Sequence, residues 1–542
     1  MIVRTHDASF ASERLVQRVG GSIDRRLPLI DGFLATVPSK AIERLRVTRG
    51  VASVTVDRRV RLSSLSSWDP KTDLGSLYYV AQEVTGAGEY WNDGYTGKGV
   101  DVALIDSGVT PVAGLVTPDK VVLGPDLSFE SQSPELRNLD TYGHGTHLAG
   151  IIAGRDDSVP TPVQKGEETF VGMAPDARIV SIKVADSQGS TDVSQVIAAI
   201  DWVVQHRRDN GLNIRVLNLS FGTDSEQDYR VDPLAYAVEV AWRKGIVVVV
   251  AAGNGGFGSE GLNSPASDPS VIAVGGADGN GTYDWLDDTV PSWSSWGTHK
   301  RRPDLVAPGK SIVSLRVPGS SLDLAHPGAR IGASRFFRGS GTSQAAAVVS
   351  GAAALIIQQR PTITPDGVKA LLVESAQELP KAKKEAQGGG MLNLKLARDT
   401  RTPRRLRLSP AGTGGGSLDL ARGSSHLQVN GAVLSGERDI FGAPFDSGRW
   451  AALSLAGNAW SGGTWNGNAW SGDAWSSGAW SGNAWSGNAW SGNAWSGNAW
   501  SGNAWSGNAW SGNAWSGNAW SGNAWSGNAW SGNAWSGSGW GP

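Results

Sequence analysis

The sequence predicts an α/β fold with a mostly parallel β-sheet, flanked by smaller pieces of chain. Short runs of Val, Ile and Ala recur between about Gly97 and Leu396, separated by segments with a helical pattern. Near-continuous apolar runs of this length are typical of strands buried on both faces of a parallel sheet. The predicted strands are 100–105, 179–184, 216–220, 247–252 and 271–274. The longest apolar stretch, Ala345 to Ile357, is shorter than the roughly 20 residues of a membrane span and predicts a buried helix.

Composition removes several classes of protein. The 542 residues include 48 basic and 50 acidic side chains and no cysteine. A balanced charge offers no basic surface to nucleic acid or to an anionic membrane. The absence of cysteine excludes disulfides, thiol catalysis and Cys-ligated zinc. We therefore expect no nucleic-acid partner, no transmembrane segment, and a fold held by packing alone.

Residues 1–64 predict a small α+β domain, and residues 65–78 a linker. The pattern of the first segment gives the ferredoxin-like order strand, helix, strand, strand, helix, strand. The predicted elements are 1–5, 10–19, 22–24, 32–37, 39–47 and 51–56. The chain around the domain boundary is Ser-rich, contains a proline and lacks periodicity, as exposed linkers do.

The C-terminal part predicts a tether over residues 399–456 and a low-complexity repeat over 457–542. The repeat is Ser-Gly-Asn-Ala-Trp, with a tryptophan at every fifth position. A period of five fits neither the 3.6 of a helix nor the 2 of a strand. Its Gly/Ser/Asn-rich composition favours a poorly ordered stalk, while a solenoid or a surface that stacks on sugars are the alternatives. The apolar rings also suit an adhesive surface.

Asp106 is the first candidate for catalysis. It ends the apolar run 102–105 and is followed by a Ser-Gly turn. A carboxylate at the C-terminal end of a buried parallel strand faces the crevice in which α/β proteins bind ligands. Asp106 can orient a base there, although such a motif alone also describes an ordinary turn.

His144 is the second candidate. Glycines flank it in Gly143-His144-Gly145, and these let backbone and substrate come close. Imidazole is the side chain whose pKa suits proton transfer near neutrality. His147, three residues later, could form a metal pair with His144. With no Glu between the two histidines and no cysteine, we expect His147 to be a structural neighbour instead.

Ser343 and Asn254 complete the set. Ser343 lies in a glycine-rich turn before the buried helix, where free N–H groups and the helix dipole favour a developing oxyanion. Asn254 follows the strand 247–251 in a glycine-rich turn and can donate to the same oxyanion. Taken singly, Ser343 could be a helix cap and Asn254 a turn residue.

Together these sequence motifs resemble those of the subtilisin family of serine peptidases, the subtilases of peptidase family S8. The order Asp106, His144, Ser343 is that of the family, and the resemblance covers about Tyr79 to Ala397. Further segments in family order are 172–177, 216–222, 264–266, 293–297 and 303–309. The resemblance implies the three-layer subtilisin-like fold over 79–398, with Gln344 and Ser107 as two departures from the usual residues.

The resemblance implies a serine endopeptidase, a hydrolase that forms an acyl-enzyme through an Asp-His-Ser triad. Ser343 would be the nucleophile, His144 the base and then acid, and Asp106 the group that orients the imidazole. Asn254 and the Ser343 N–H would form the oxyanion hole. No cofactor is required for this chemistry. Structural calcium is common in the family, but no carboxylate loop here can be assigned to it.

The resemblance also implies substrate-binding segments with small, uncharged walls. These are expected to accept protein or peptide chains with a broad apolar preference. The implied residues are Ser220, Phe221, Gly222, Ala251, Ala252 and Gly253.

Residues 1–64 resemble the inhibitory propeptide of the family, in 32–38 and 50–57. They imply a self-processing zymogen with cleavage at about Arg61 to Asp73 and the propeptide as an intramolecular inhibitor. We expect a secreted or cell-surface protein, although the first residues show no secretory signal core. The Trp repeat could contact a cell envelope or polysaccharide. The alternative function is a catalytically idle surface-binding protein whose repeat is the working part.

Overall fold

The computed structural model describes residues 2–5, 11–27, 32–46, 48, 50–55, 68–133, 135–257, 261–280, 282, 284–332, 335–403, 409–429, 432–440, 444–457 and 459. The chain forms two compact units, Met1–Leu65 and a second that begins at Ser66. No helix within these described ranges is both long and apolar enough to span a membrane. The predicted Trp repeat from residue 460 onward lies outside the described residues.

The first unit has the strand and helix order that its sequence predicts. Its strands are β1 (Ile2–Thr5), β2 (Ser22–Leu27), β3 (Gly32–Thr36) and β4 (Val51–Thr55), and its helices are α1 (Ala11–Arg18) and α2 (Ile42–Arg46). The antiparallel sheet has the order β2-β3-β1-β4. Alternate residues of β3 point inward, so Phe33 and Ala35 join Val3, Val16 and Leu45 in a separate small core.

The second unit is built on a seven-stranded parallel sheet in the order β11-β10-β9-β8-β5-β7-β6. Its strands are β5 (Asp101–Asp106), β6 (Val121–Asp126), β7 (Arg178–Lys183), β8 (Ile214–Leu219), β9 (Val247–Ala251), β10 (Ile272–Ala277) and β11 (Leu305–Pro308). β5 and β9 are buried along their whole length. Burial on both faces explains why their sequences are almost purely apolar.

Helices cover the sheet and give the unit three layers. They are α3 (Ala87–Asn92), α4 (His144–Ala153), α5 (Val193–His206), α6 (Pro233–Arg243), α7 (Ser321–Ala325), α8 (Thr342–Gln359), α9 (Pro365–Glu374), α10 (Lys384–Gln387), α11 (Leu394–Asp399), α12 (Leu418–Ala421) and α13 (Ser447–Ala456). α8 packs on α4 and on the strands β8 to β11, whereas α5 and α6 pack on each other and on β5 and β9. A three-stranded antiparallel sheet, β12 (Ile312–Leu315), β14 (Phe336–Gly339) and β13 (Arg330–Ile331), and a hairpin, β15 (Gln428–Val429) and β16 (Ala432–Val433), complete the unit.

The packed chain begins earlier than residue 79, the predicted start of the large domain. The Trp68 indole donates to Asp73 at 2.8 Å, and Asp73 forms an ion pair with Arg338 at 2.5 Å. The Trp68 ring also lies 4.9 Å from that of Phe336. The second half of the expected linker 65–78 is therefore part of the second unit, since its polar residues make fixed contacts rather than facing water.

The prediction of a tether over 399–456 is wrong for most of that segment. Arg422 is fully buried and pairs with Asp192, the N-cap residue of α5, at 2.7 Å. Trp450 of α13 is also fully buried, and its indole donates to Asp201 at 2.7 Å. The sequence suggests a tether because apolar residues are sparse there, but several of those present, Leu418, Ala421, Phe445 and Trp450, are buried. Arg422 and Trp450 fix the segment through Asp192 and Asp201.

Candidate active site

Asp106 lies at the C-terminal end of the central strand β5, between β7 and β8. It is 9% exposed. Its Oδ1 accepts hydrogen bonds from the Ser107 N–H at 2.8 Å and from the Ser107 hydroxyl at 3.1 Å. These bonds fix the carboxylate at the edge of the sheet where parallel strands end.

His144 is the first residue of α4, and it meets Asp106 across 38 positions of sequence. Its Nδ1 lies 2.8 Å from Asp106 Oδ1 and 3.1 Å from Oδ2. The approach needs Gly145, because a Cβ there would lie 2.2 Å from the Gly108 carbonyl oxygen. Nδ1 bonded to a carboxylate carries a proton, which leaves Nε2 as the nitrogen that can accept one.

The surroundings of His144 change its proton affinity in opposite directions. Burial lowers the pKa of His144, while the charge and hydrogen bond of Asp106 and the charge of Asp140 raise it. The net result is a pKa above its ordinary value. Asp140 is itself buried and accepts hydrogen bonds from the N–H groups of Gly143 and Thr146 at 2.6 and 2.7 Å. Burial nevertheless raises the pKa of Asp140.

Ser343 is the second residue of α8 and is 8% exposed. The N-cap of α8 is Gly341, so the alternative in which Ser343 caps the helix does not hold. A serine in the first turn of an 18-residue helix lies beside N–H groups that have no partner within the helix. These groups and the helix dipole favour negative charge at that position.

Asn254 follows β9 and contacts the start of the same helix. Its Oδ1 accepts hydrogen bonds from the N–H and the hydroxyl of Thr342, both at 3.0 Å. The amide oxygen is thus held by two donors, which fixes the side-chain orientation and leaves the NH₂ group to donate elsewhere. Asn254 has a long-range role in the structure and is more than a turn residue.

His144, Asn254 and Ser343 line one open cavity of about 860 Å³. Gln344, one of the two residues that depart from the family pattern, also lines the cavity. The structure therefore brings Asp106, His144, Ser343 and Asn254 into one site from four separate segments. Such an arrangement offers a nucleophile, a base with its orienting carboxylate, and donors for an oxyanion.

The six predicted substrate-binding residues lie beside this cavity and are not among the residues that line it. Ser220, Phe221 and Gly222 follow β8, and Ala251, Ala252 and Gly253 are at the end of the neighbouring strand β9.

Asn263 separates the two substrate segments and was missed from the sequence. A Cβ at Gly222 would lie 3.1 Å from the Asn263 Cβ, and one at Gly253 would lie 2.2 Å from its Oδ1. The positive φ of 109° at Gly253 favours glycine there, whereas a Cβ at Gly222 would make only a tight contact. Asn263 adjoins the family segment 264–266, and that is the signal in the sequence that could have pointed to it.

His147 points away from the reacting set. Its Nε2 donates to the Phe337 carbonyl at 3.0 Å, and burial lowers its pKa to about 4. It is therefore neutral at pH 7. None of the described residues forms a group of three or more His, Cys, Asp or Glu that could hold a metal ion.

The chain is similar to known serine proteases. The family described as "Subtilase family" matches residues 97–394. The serine protease AprX of Bacillus subtilis (strain 168) is 38% identical over 332 residues, which are 59% of this chain and 71% of that protein. Subtilisin DY of Bacillus licheniformis is 35% identical over 56% of this chain and 92% of its own length. Subtilisin E of Bacillus subtilis (strain 168) is 30% identical over 72% of this chain and 86% of its own length.

Proposed function

The chain belongs to the subtilase family and is a subtilisin-like serine endopeptidase, and we propose that Asp106, His144 and Ser343 are its catalytic triad. The observation that carries this proposal is the 2.8 Å contact between His144 Nδ1 and Asp106, with Ser343 at the start of α8 on the same cavity. The chemistry requires no cofactor.

In the proposed mechanism, the Ser343 hydroxyl attacks the scissile carbonyl carbon while its proton moves to His144 Nε2. The resulting imidazolium is stabilised by Asp106 and returns the proton to the nitrogen of the departing amine. An ester between Ser343 and the acyl half of the substrate remains. Water then attacks this acyl-enzyme by the same route, with His144 again as base and then acid, and frees the serine.

The oxyanion of each tetrahedral intermediate is proposed to accept hydrogen bonds from the Asn254 NH₂ group and the Ser343 N–H. The two bonds from Thr342 to Asn254 Oδ1 support this assignment, because they leave the donor end of the amide free. Fixed donors of this kind need no reorganisation as charge develops, which is why they stabilise the transition state.

The acyl half of the substrate is proposed to lie between residues 220–222 and 251–253. All side chains of this region are uncharged and, apart from Phe221, small, and the flanking glycines leave room for a backbone. We therefore expect a broad preference for apolar side chains before the scissile bond. A library of quenched peptides varied at that position tests this, and a dominant preference for Lys or Arg would contradict it.

Residues 1–64 are proposed to be an inhibitory propeptide that the enzyme itself removes. The support is a unit with its own core and a ferredoxin-like sheet, together with the sequence resemblance. We propose that cleavage falls before Trp68, because a cut after Trp68 would separate this residue from Asp73, to which its indole donates a hydrogen bond. The predicted cleavage range of residues 61–73 is thereby narrowed to residues 61–67.

The remaining proposals concern the setting of the enzyme. We propose a secreted or cell-surface protein that the Trp repeat tethers to an envelope or polymer. Deletion of residues 460–542 is expected to release the enzyme from that surface with its peptidase activity unchanged. Equal retention of the full and shortened chains would contradict the tether.

The decisive experiment compares the full chain with Ser343→Ala, by intact mass over time and by labelling with a serine-directed fluorophosphonate. Ser340→Ala, a nearby exposed serine, is the matched control. The parent and the control are expected to lose roughly the first 60 residues and to take up the label. Ser343→Ala is expected to stay whole and unlabelled. If a folded parent also stays whole and unlabelled, the triad proposal fails and the idle surface-binding alternative takes its place.

A further inference from the structure

A short segment between β12 and β14 forms one side of the catalytic cavity. This segment, which we call the rim, comprises Ser320–Ile331 and contains α7, a 3₁₀ turn at Pro327–Ala329 and β13. Its side chains Leu322, Ala325, His326 and Pro327 line the cavity that also holds Ser343 and His144.

The rim is held by a buried carboxylate at its centre. Asp323 is 2% exposed and accepts hydrogen bonds from Arg316 Nε at 2.5 Å, Arg330 Nε at 2.7 Å and the Gly319 N–H at 2.9 Å. These charged donors hold the pKa of Asp323 well below its usual range. Because Arg316 precedes the rim and Arg330 lies near its C-terminal end, the two ion pairs with Asp323 clamp the segment into one shape.

The rim is also tied to the chain on both sides of the catalytic site. The N–H groups of Ser321 and Leu322 donate to the carbonyls of Thr141 and Tyr142, each at 3.0 Å, just before His144. At its other end β13 pairs with β14, which leads directly into the turn before Ser343. The rim is therefore a fixed wall beside the nucleophile and the base, because it is hydrogen-bonded to the segments that carry both residues.

The chemistry of the reaction decides which half of the substrate passes the rim. The departing amine takes its proton from His144, so the chain after the scissile bond must leave on the His144 side of Ser343. The rim is bonded to the residues next to His144. The segments proposed for the acyl half, 220–222 and 251–253, are not part of this cavity.

The side chains that line the cavity define what it can accept. Leu322, Pro327 and Phe337 are apolar and His326 is basic, while Arg338 also lines the cavity but is paired with Asp73 at 2.5 Å. The described residues that line it include no Asp or Glu. A wall of this composition favours apolar contacts and disfavours a positively charged side chain.

We propose that the rim binds the substrate on the leaving-group side of the scissile bond and selects apolar and acidic side chains there against Lys and Arg. This inference rests on the proposed function, since it needs Ser343 as the nucleophile and His144 as the acid. Leu322 supplies the apolar contact, and the His326 imidazole supplies an N–H donor to an acidic side chain in a cavity whose described lining holds no carboxylate.

Acyl transfer measures this side of the cleft alone. An acyl-enzyme made from one peptide ester is divided between water and a dipeptide amide, whose amine attacks the ester carbonyl, forms an amide and releases the Ser343 hydroxyl. Dipeptide amides that begin with Leu, Glu or Lys are compared, using the protein purified from the full chain. Because the acyl group is constant, the ratio of amide to acid reports binding of the leaving-group side only.

We expect the wild type to transfer to Leu and Glu amides in preference to Lys. His326→Glu should raise transfer to the Lys amide roughly threefold, the size of an exposed charge contact. Leu322→Ser should lower transfer to the Leu amide by about tenfold, with the Glu amide affected less. Leu324→Glu is the matched control, because Leu324 is on the same helix, is 68% exposed and does not line the cavity.

Two outcomes would overturn the inference while the enzyme remains a Ser343 peptidase. One is equal transfer to all three amides by the wild type, and the other is the same shift in Leu324→Glu as in His326→Glu. Thermal melting of each variant shows whether Leu322→Ser keeps the fold, and the His326→Glu arm decides the question if it does not. If the wild type neither hydrolyses the ester nor takes up the Ser343 label, the proposed function fails, and the inference with it.

Discussion

Replacing Arg422 with methionine is expected to destabilise the second unit by about 3–5 kcal/mol, the usual cost of removing one partner of a buried ion pair. Both Arg422 and Asp192 have side chains with no exposed surface. The guanidinium also donates to the carbonyls of Gly436 at 2.9 Å and Arg438 at 2.5 Å. Methionine retains most of the apolar stem, so the loss measures mainly the charge and its hydrogen bonds.

The assay is urea unfolding in a Ser343→Ala background, which prevents self-digestion during the measurement. Arg230→Met is the matched control, since the Arg230–Asp228 pair is exposed and solvent screens it, so its removal is expected to change the stability little. Asp192→Asn combined with Arg422→Met should recover part of the loss, because no buried charge is left alone. If Arg422→Met costs no more than Arg230→Met, residues 409–457 are not packed on α5 and the correction of the tether is refuted.

The remaining predictions concern catalysis and the cleft. Asp106→Asn should lower kcat by about 10⁴-fold. It should also move the acid limb of kcat/KM to lower pH. Asp106 contributes to the raised pKa of His144, so the base of the wild type becomes protonated at a higher pH than an ordinary histidine does. Activity of the wild type therefore falls at that higher pH. An acid limb of kcat/KM at the same pH in Asp106→Asn and in the wild type would contradict this. Asn254→Ala should lower kcat by roughly 10² to 10³, the loss known for such a donor in a subtilisin, with KM nearly unchanged; a change confined to KM in steady-state kinetics would argue against an oxyanion role. Arg301→Met should cost roughly 2 kcal/mol in urea unfolding, less than Arg422→Met, because Lys369 still pairs with Asp304 at 2.9 Å when Arg301 is gone; a loss as large as that of Arg422→Met would contradict this.

Apolar strands were the most predictable part of the fold. The five predicted strands of the large sheet correspond to β5, β7, β8, β9 and β10, each within a few residues of its observed bounds. The two strands that were not predicted are at the edges of the sheet. β6 is partly exposed along most of its length, and β11 has only four residues, so neither presents the long apolar run that signals a central strand.

Packed segments of mixed composition were the least predictable. Residues 409–457 and the rim 320–331 contain few apolar residues in any regular pattern. Their positions depend on single buried groups, Arg422 with Asp192 and Asp323 with two arginines. A pattern of hydrophobicity does not show which charged residue will be paired and buried.

The sequence by itself predicted the class of fold, the order of the elements in the first unit, five of the seven strands of the large sheet, and the candidate residues for acyl transfer. Those properties are local, since they follow from apolar period, turn residues and the chemistry of single side chains. Only the tertiary structure decided which groups meet: Asp106 with His144 over 38 positions, and Asn254 with Thr342 over 88. It likewise decided that His147 is buried and neutral while His144, three residues earlier, has a raised pKa. The physical reason is that contacts and burial depend on the path of the whole chain, which no short stretch of sequence specifies.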